Sequence, residues 1–277
     1  MRYSIDWIPV SVVLSLLGLS LVPFLIAMPL WALILLGLII LLLKNAALAA
    51  QHNHAHLNVF KSKTLNFIYD LLLAQVTGYS TPEWELQHAR GHHQSYLSPL
   101  EDLTSPIDAK TGQNLGLWSF TWQGTRKSFS EALQIAHQDR RKGKLKSTWA
   151  LWGHLSLQIL LTTFWILCNP LMGLCFFALS NLTCRAMLWW GTYWQHINAP
   201  CTQIYDASNT TIQPALNTLV FNNGYHTAHH EQAGLHWSLL PARTAAIREK
   251  IPDRCYRSDI NFHLPFKETE LAPENRL

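Results

Sequence analysis

Nine of the fourteen histidines in this 277-residue chain fall into spacings that could grip a metal. The densest set lies in Asn222-Asn223-Gly224-Tyr225-His226-Thr227-Ala228-His229-His230-Glu231, where three histidines occupy five positions. On one helix, taken as Leu219 to Glu231, His226, His229 and His230 project within about a 100° arc of a single face. A second set follows Thr81-Pro82-Glu83, which reads as a helix start with Thr81 as cap and Pro82 at the first position. There His88 and His92 share a face, and His93 lies about 100° further round. In Gln51-His52-Asn53-His54-Ala55-His56, His52 and His56 are neighbours four apart and read as ligands. His54 points to the opposite side and reads as a solvent-facing or supporting residue. His196 stands alone between the second and third sets. Nine neutral imidazoles exceed the four ligands of a structural zinc and match two metals of four to five ligands each, with positions left open. Imidazole suits zinc, copper and iron alike, so the pattern alone does not name the element.

The elements that must bring these sets together are membrane helices. The chain is 49% hydrophobic and only 14% charged, too apolar for an ordinary soluble domain. No Asp, Glu, Lys or Arg occurs from Trp7 to Leu43 or from Ser147 to Cys184. Each run is roughly twice the ~20 residues that cross a bilayer, so each must fold back on itself. Met28-Pro29 and Asn169-Pro170 lie near the midpoints, where proline fixes a turn. The expected fold is an all-α integral membrane protein, a single domain over residues 1–277, with two transmembrane hairpins and a helical cap that carries the histidines. The spans are placed at 7–28, 30–50, 148–168 and 171–192. A cleaved signal peptide does not fit the first run, whose apolar core is too long and lacks a small-residue cleavage site.

Arg126, Lys127, Arg140, Arg141, Lys142, Lys144 and Lys146 stand against Glu131 and Asp139, whereas the hairpin tips carry no Lys or Arg. The positive-inside rule then puts both termini and every histidine set on the cytoplasmic side. The basic stretch is most simply a topology signal and an anchor to anionic lipid. The sharper reading is a dock for an acidic electron-transfer protein. With a net charge of only +4, no nucleic-acid partner is expected. Five cysteines without a CxxC pair indicate neither a disulfide framework nor a thiolate zinc site.

Between these parts, Thr64 to Val76 is too short to span and reads as an interfacial helix, residues 94–125 as a loop with short helical pieces, and residues 126–142 as a basic surface helix. Trp189-Trp190-Gly191-Thr192-Tyr193-Trp194 reads as an interfacial aromatic belt. His137, His154, His236 and His263 are isolated, and His154, inside a span, reads as a satisfied polar residue. The segment after Pro241 is amphiphilic and charged, with no lipidation or retention signal at Leu277. A metal transporter would need ligands or acids inside the spans, which offer only His154, Asn45, Asn181 and Arg185. Two adjacent redox metals with open positions at a membrane face suggest oxygen activation on a lipid-like chain.

His52-x3-His56, His88-x3-His92-His93 and Gly224-Tyr225-His226-x2-His229-His230, with the lone His196, resemble the histidine boxes of the membrane fatty acid desaturase superfamily. The run from Asn222 to His230, followed by Gly234-Leu235-His236-Trp237-Ser238-Leu239-Leu240-Pro241, is similar to bacterial members. The resemblance covers about Leu42 to Pro241. It implies that the nine histidines ligate two iron ions of a non-haem diiron centre. It also implies O2 as cosubstrate, a lipid or fatty-acyl substrate, and a separate ferredoxin-, rubredoxin- or cytochrome b5-like donor, in the bacterial inner (plasma) membrane. Glu83, Glu85, Glu101, Asp102 and Glu231 are then candidates to orient imidazoles, and Asn222 or Asn223 to hold a metal-bound water. The middle box is one residue longer than the commoner His-x2-His-His and is similar to that of the related alkane hydroxylases, so the resemblance leaves both desaturation and hydroxylation open.

Overall fold

The computed structural model describes residues 1–257, so His263 and Leu277 lie outside the described residues. After a 3-10 turn at Ser4–Asp6, α1 (Trp7–Leu25) leads to α2 (Leu30–His56), with Pro29 as the N-cap of α2. The α2 helix passes unbroken from the apolar run into His52 and His56, because nothing from Leu30 to His56 breaks a helix beyond the single Gly37. Next, α3 (Lys63–Thr77) begins at Ser62, whose Oγ accepts the Leu65 N–H, and stops at Gly78, where φ is +80°. Only glycine enters that region freely, and a Cβ there would lie 2.9 Å from Asn181 Cβ.

The histidine helix that follows is not a plain α-helix. A turn, α4 (Thr81–Trp84), passes into π-helical winding, π1 (Glu85–His92), and then into α5 (His93–Ser95). Its cap is Ser80, not the expected Thr81, which places Pro82 second. The long helix α6 (Leu117–Arg141) starts well before the expected residue 126, which confines the irregular loop to residues 96–116. Then come α7 (Leu145–Cys168), α8 (Pro170–Gly173), the π-helical π2 (Leu174–Leu179) and α9 (Ser180–His196). Asn169 caps α8 by accepting the Met172 N–H, as an Asn-Pro start predicts. A two-residue parallel pairing joins β1 (Thr210–Thr211) to β2 (Tyr256–Arg257). The expected helix from Leu219 to Glu231 is in fact two, α10 (Pro214–Leu219) and α11 (His226–Glu231), parted by a turn with Phe221 and Asn222 at positive φ. A last helix, α12 (Leu240–Ala246), packs on α11.

Among the described residues, four stretches are long and apolar enough to cross a membrane: Ser4–Leu25, Leu30–His56, Leu145–Cys168 and Pro170–His196. The chain is an integral membrane protein built on helices. Exposed Leu14, Ile34, Leu38, Ile159, Phe164 and Leu182 give these stretches an apolar outer surface of the kind that only lipid covers. Inside, Val13 and Leu16 of α1 meet Ile40 and the small residues Ala46, Ala47 and Ala50 of α2, with Leu73 of α3 and Phe177 of π2 closing the cluster. The α3 helix, expected at the interface, packs against α1, α2, α7 and α9.

Polar ties inside this apolar scaffold set where the histidines stand. Gln51 Nε2 donates to Tyr79 O at 2.7 Å, and Thr77 Oγ1 donates to Gln51 Oε1 at 2.7 Å, which links α2 one residue before His52 to the entry of the histidine helix. Arg185 of α9 donates to both Glu83 oxygens, to Gly78 O and to Ser128 Oγ, joining α9, α4 and α6. Glu83 therefore holds an arginine and orients no imidazole. Trp189 and Trp194 are buried, and Trp189 donates to Tyr79 OH at 3.1 Å, so these two rings face inward, while Trp190 and Tyr193 are half-buried. His154 is buried with Nδ1 unpartnered among the described residues, against the expectation of a satisfied polar group.

At Gly173 a Cβ would come within 2.5 Å of Ile166 Cα and 2.6 Å of Ile166 N, which are backbone atoms that no rotamer change can move. Gly173→Ala is therefore expected to separate α7 from α8 and to destabilise the fold by about 1–3 kcal/mol. Thermal unfolding in detergent should show a melting temperature lower by several degrees, and an unchanged melt would contradict this packing.

Candidate metal centre

The nine histidines come together from four places in the chain. His52, His56, His88, His93 and His229 form one group, and His92, His196, His226 and His230 form a second; within each group one ring nitrogen per residue lies within 4.8 Å of the others. The groups adjoin, with the ring centroids of His93 and His230 4.8 Å apart and those of His88 and His92 5.2 Å apart.

Local winding determines this sorting. An α-helix would put His93 about 140° from His88, but i→i+5 winding through π1 brings His88 and His93 to the same group and sends His92 to the other. The expected pairing of His88 with His92 is corrected in this way. In α11 the spacing is one residue shorter and the winding is α, and the same split results: His226 and His230 go together while His229 crosses over. The turn before α11 is locked by Asn217, whose Oδ1 accepts the Gly224 N–H at 3.1 Å and whose Nδ2 donates to Thr211 O at 2.8 Å. A Cβ on Gly224 would lie 2.5 Å from Asn217 Oδ1, so this residue must be glycine. The chain of hydroxyls at Thr227, Thr210 and Ser208 fixes α11 on β1. Neither Asn217 nor Thr227 stands out in the sequence; an asparagine inside the mostly apolar run from Ala215 to Phe221 was the available signal.

The ring nitrogens meet face to face. His52 and His88 approach Nε2 to Nε2 at 2.8 Å, His93 and His229 at 3.0 Å, His92 and His230 at 3.1 Å, and His196 and His226 at 3.2 Å. Several opposite nitrogens are committed elsewhere. His196 Nδ1 donates to Ala207 O at 3.2 Å, and His92 Nδ1 lies 2.8 Å from Asp102 Oδ2. A neutral imidazole carries one N–H, so donating from Nδ1 leaves a lone pair on Nε2. His88, His226, His229 and His230 are held well below the ordinary histidine range, first by burial and then by the neighbouring imidazoles. His93 shifts the same way for the same reasons. Lone pairs that converge on shared points repel one another unless a cation sits between them. His56 Nε2, buried and without a hydrogen-bond partner among the described residues, suits the same role.

Among the five candidate acids, only Asp102 reaches an imidazole. Burial alone would raise its carboxyl, but His92 and the Thr104 N–H overcome that and hold it below the usual range. Thr104 Oγ1 also lies 2.6 Å from His92 Nδ1. Glu231 pairs with Arg243 and Tyr205, while Glu85 and Glu101 are exposed. His54, read as opposite the ligands, is outside both groups but does not face solvent: it is fully buried, with Nε2 3.0 Å from Asp70 Oδ1 and Nδ1 accepting the Val59 N–H. Asn222 donates to Trp237 O, a turn role, whereas Asn223 Oδ1 is buried and unpartnered at the wall of the cavity beside the histidines. Isolated His236 bonds to Asp6 and stacks on Tyr3, pinning the N-terminal turn to the segment after α11.

Residues 29–260 match the model of the family described as fatty acid desaturase. The chain belongs to the fatty acid desaturase family. No curated protein matches it significantly. Membership makes this desaturase-family chain an oxidoreductase of the membrane, with iron as the metal that its histidines suggest and a lipid or fatty-acyl substrate.

Because Asp102 steers His92, Asp102→Asn should weaken metal binding by the second group about 10–100-fold and spare the first. Metal titration of the purified protein checks this, and equal loss at both groups would contradict the assignment. His54→Ala should retain its metal while losing about 1–3 kcal/mol of stability through the unpaired Asp70 and Val59 N–H.

Proposed function

We propose that the chain is a diiron oxidase that desaturates fatty-acyl chains with O2 and electrons from a separate donor. The observation that carries this reading is the pair of adjoining imidazole groups at the end of an apolar cavity. His52, His56, His88, His93 and His229 would hold one iron, and His92, His196, His226 and His230 the other. Iron bound there supplies the oxygen chemistry that removes hydrogen from an unactivated methylene.

The residues of the chain do the rest. The cavity, of about 380 Å3, is lined at one end by His52, His88, His92, His196 and His226, and along its walls by Leu48, Leu188, Leu216 and Val220. Its size falls in the range of small-molecule sites. Leu42, 59% exposed on the outer apolar surface of α2, lies at its rim, so an acyl chain can enter from the lipid side. Trp84 and Trp189 help to exclude water and hold the chain against the histidines. Asn223 Oδ1, unpartnered in the same wall, can accept a hydrogen bond from a water beside them.

The spacing of the middle box, the reason to consider hydroxylation, is absorbed by the π winding and returns the same two-and-one split as the third box. It therefore carries little weight for the alternative outcome. For the donor, the supporting observation is that Arg126, Lys127, Arg140, Arg141, Lys142, Lys144 and Lys146 are all exposed on or just after α6, which packs against π1. A ferredoxin-, rubredoxin- or cytochrome b5-like protein seated there would be one helix from His88, His92 and His93. The same charges favour a cytoplasmic site, in a bacterial inner membrane.

Purified in detergent, the protein should carry about two irons per chain, and His229→Ala should lose both iron and turnover. Membranes supplied with labelled acyl lipids and a reduced donor should yield an alkene product. One zinc per chain with no iron would overturn the oxidase reading, and an alcohol as the sole product would replace desaturation by hydroxylation.

A further inference from the structure

A second cavity, of about 610 Å3, opens to water between the loop that carries Asp102 and the outer face of α6. Glu131 lies in its wall. On the opposite side, Glu131 Oε2 accepts a hydrogen bond from Gln87 Nε2 at 3.1 Å, and Gln87, only 7% exposed, lines the cavity at the histidines. Gly91 makes this approach possible, since a Cβ there would already be 3.1 Å from Glu131 Oε1. The hydrogen-bonded pair of Glu131 and Gln87 thus stands in the partition between a solvent-open crevice and the site where O2 would be consumed.

The desaturation reading, on which this inference rests, creates a need for such a partition. Converting R–CH2–CH2–R′ and O2 to R–CH=CH–R′ and two waters takes four hydrogens on oxygen. Two come from the substrate as its C–H bonds break, and two arrive as protons with two electrons from the reduced donor protein. The walls that exclude bulk water also exclude these protons. We propose that Glu131 is the port through which protons pass from the crevice to the cavity at the histidines, with Gln87 holding its carboxyl at the partition. The protonated carboxyl releases its proton to a water that reaches it past the Gln87 side chain from the cavity, and the carboxylate is reprotonated from the crevice.

Burial raises the Glu131 carboxyl to about 7, the Gln87 amide partly opposes that, and the charge of Asp102 adds to it. Both protonation states are therefore populated near neutral pH, as a relay requires. The other charged or titratable groups around it are His92 from π1, Lys127 of α6 on the crevice wall, and Glu101, Asp108 and Lys110 from the loop. Glu131 itself touches neither a histidine nor the cavity lining beyond Gln87, so it acts as a proton-delivery residue.

The test uses full-length, iron-loaded protein. In the resting wild-type protein, infrared spectra should contain a protonated-carboxyl band that disappears with a midpoint near pH 7 and is missing from Glu131→Gln. Glu131→Gln should keep its iron and its KM, lose at least ~10-fold in kcat, and lose the decline in turnover that the wild type shows above about pH 7. Acetate, small enough for the crevice, should restore part of that kcat. If Glu131→Gln loses its iron, Glu131→Asp takes its place with the same acetate measurement. Absence of the band from wild type, its persistence in Glu131→Gln, a wild-type kcat in that variant, or no response to acetate would each overturn the proposal. An iron-loaded wild type that forms no oxidised product overturns the desaturase reading instead, and the carboxyl band then judges Glu131 alone.

Discussion

Eight imidazoles point nitrogen to nitrogen at 2.8–3.2 Å in a buried space, with His56 beside them, and that arrangement sets demands on everything around it. Burial keeps His88, His93, His226, His229 and His230 neutral, which leaves lone pairs at the meeting points; neutral rings are what a divalent cation needs and what an empty cluster resists. A set of mutually repelling groups stays together only if the scaffold is stiffer than the repulsion. That stiffness comes from the polar ties outside the ring: Asp102 and Thr104 on His92, Ala207 O on His196, Asn217 on the turn before α11, and Gln51 on the entry to the histidine helix. Each satisfies a buried polar group as well as aiming a ring.

The two triple boxes reach one geometry by different windings. Three rings on one helix can serve two adjacent centres only if the outer two converge and the middle one diverges. With two residues between the first and second histidines, α winding provides this at His226, His229 and His230. With three, α winding would carry His93 away, and the helix takes up the extra residue as π turns through Glu85–His92. Such turns are rare because they give poorer backbone packing, and they persist where a site rewards them. The box spacing is thus a statement about helix winding more than about reaction outcome.

Much of this architecture was legible in the chain before any coordinates. Uncharged runs twice the length of a span, each divided by an X-Pro step, yield the four apolar helices, and histidine periodicity picks out the nine histidines that converge. What escaped was whatever depends on partners distant in sequence. Periodicity assumes α geometry, so it paired His88 with His92 and drew one helix from Leu219 to Glu231, where two positive-φ residues break it. Glu83 and Asp102 look alike as acids near a box; only packing shows that one faces Arg185 and the other His92. Trp189 and Trp194 have the composition of an interfacial belt, but Gly124 on α6 leaves a recess that Trp189 fills.

The Gln51 tie has a counterpart about two turns earlier on α2. Lys44, fully buried among apolar residues, donates to Val76 O at 2.6 Å and to Asn181 Oδ1 at 2.5 Å. An ammonium in mid-helix disfavours insertion by about 2.5–3.5 kcal/mol when it is alone in lipid. Its side-chain partner is 137 residues downstream, so during synthesis α2 must wait for α9 before the second of these hydrogen bonds can form. The helix that presents the first two histidines therefore depends on a later span for part of its seating. Its final seating coincides with the arrival of α9, the helix that delivers His196. A charge placed for assembly in this way couples completion of the membrane bundle to completion of the metal site, so a half-built chain does not present a half-built cluster.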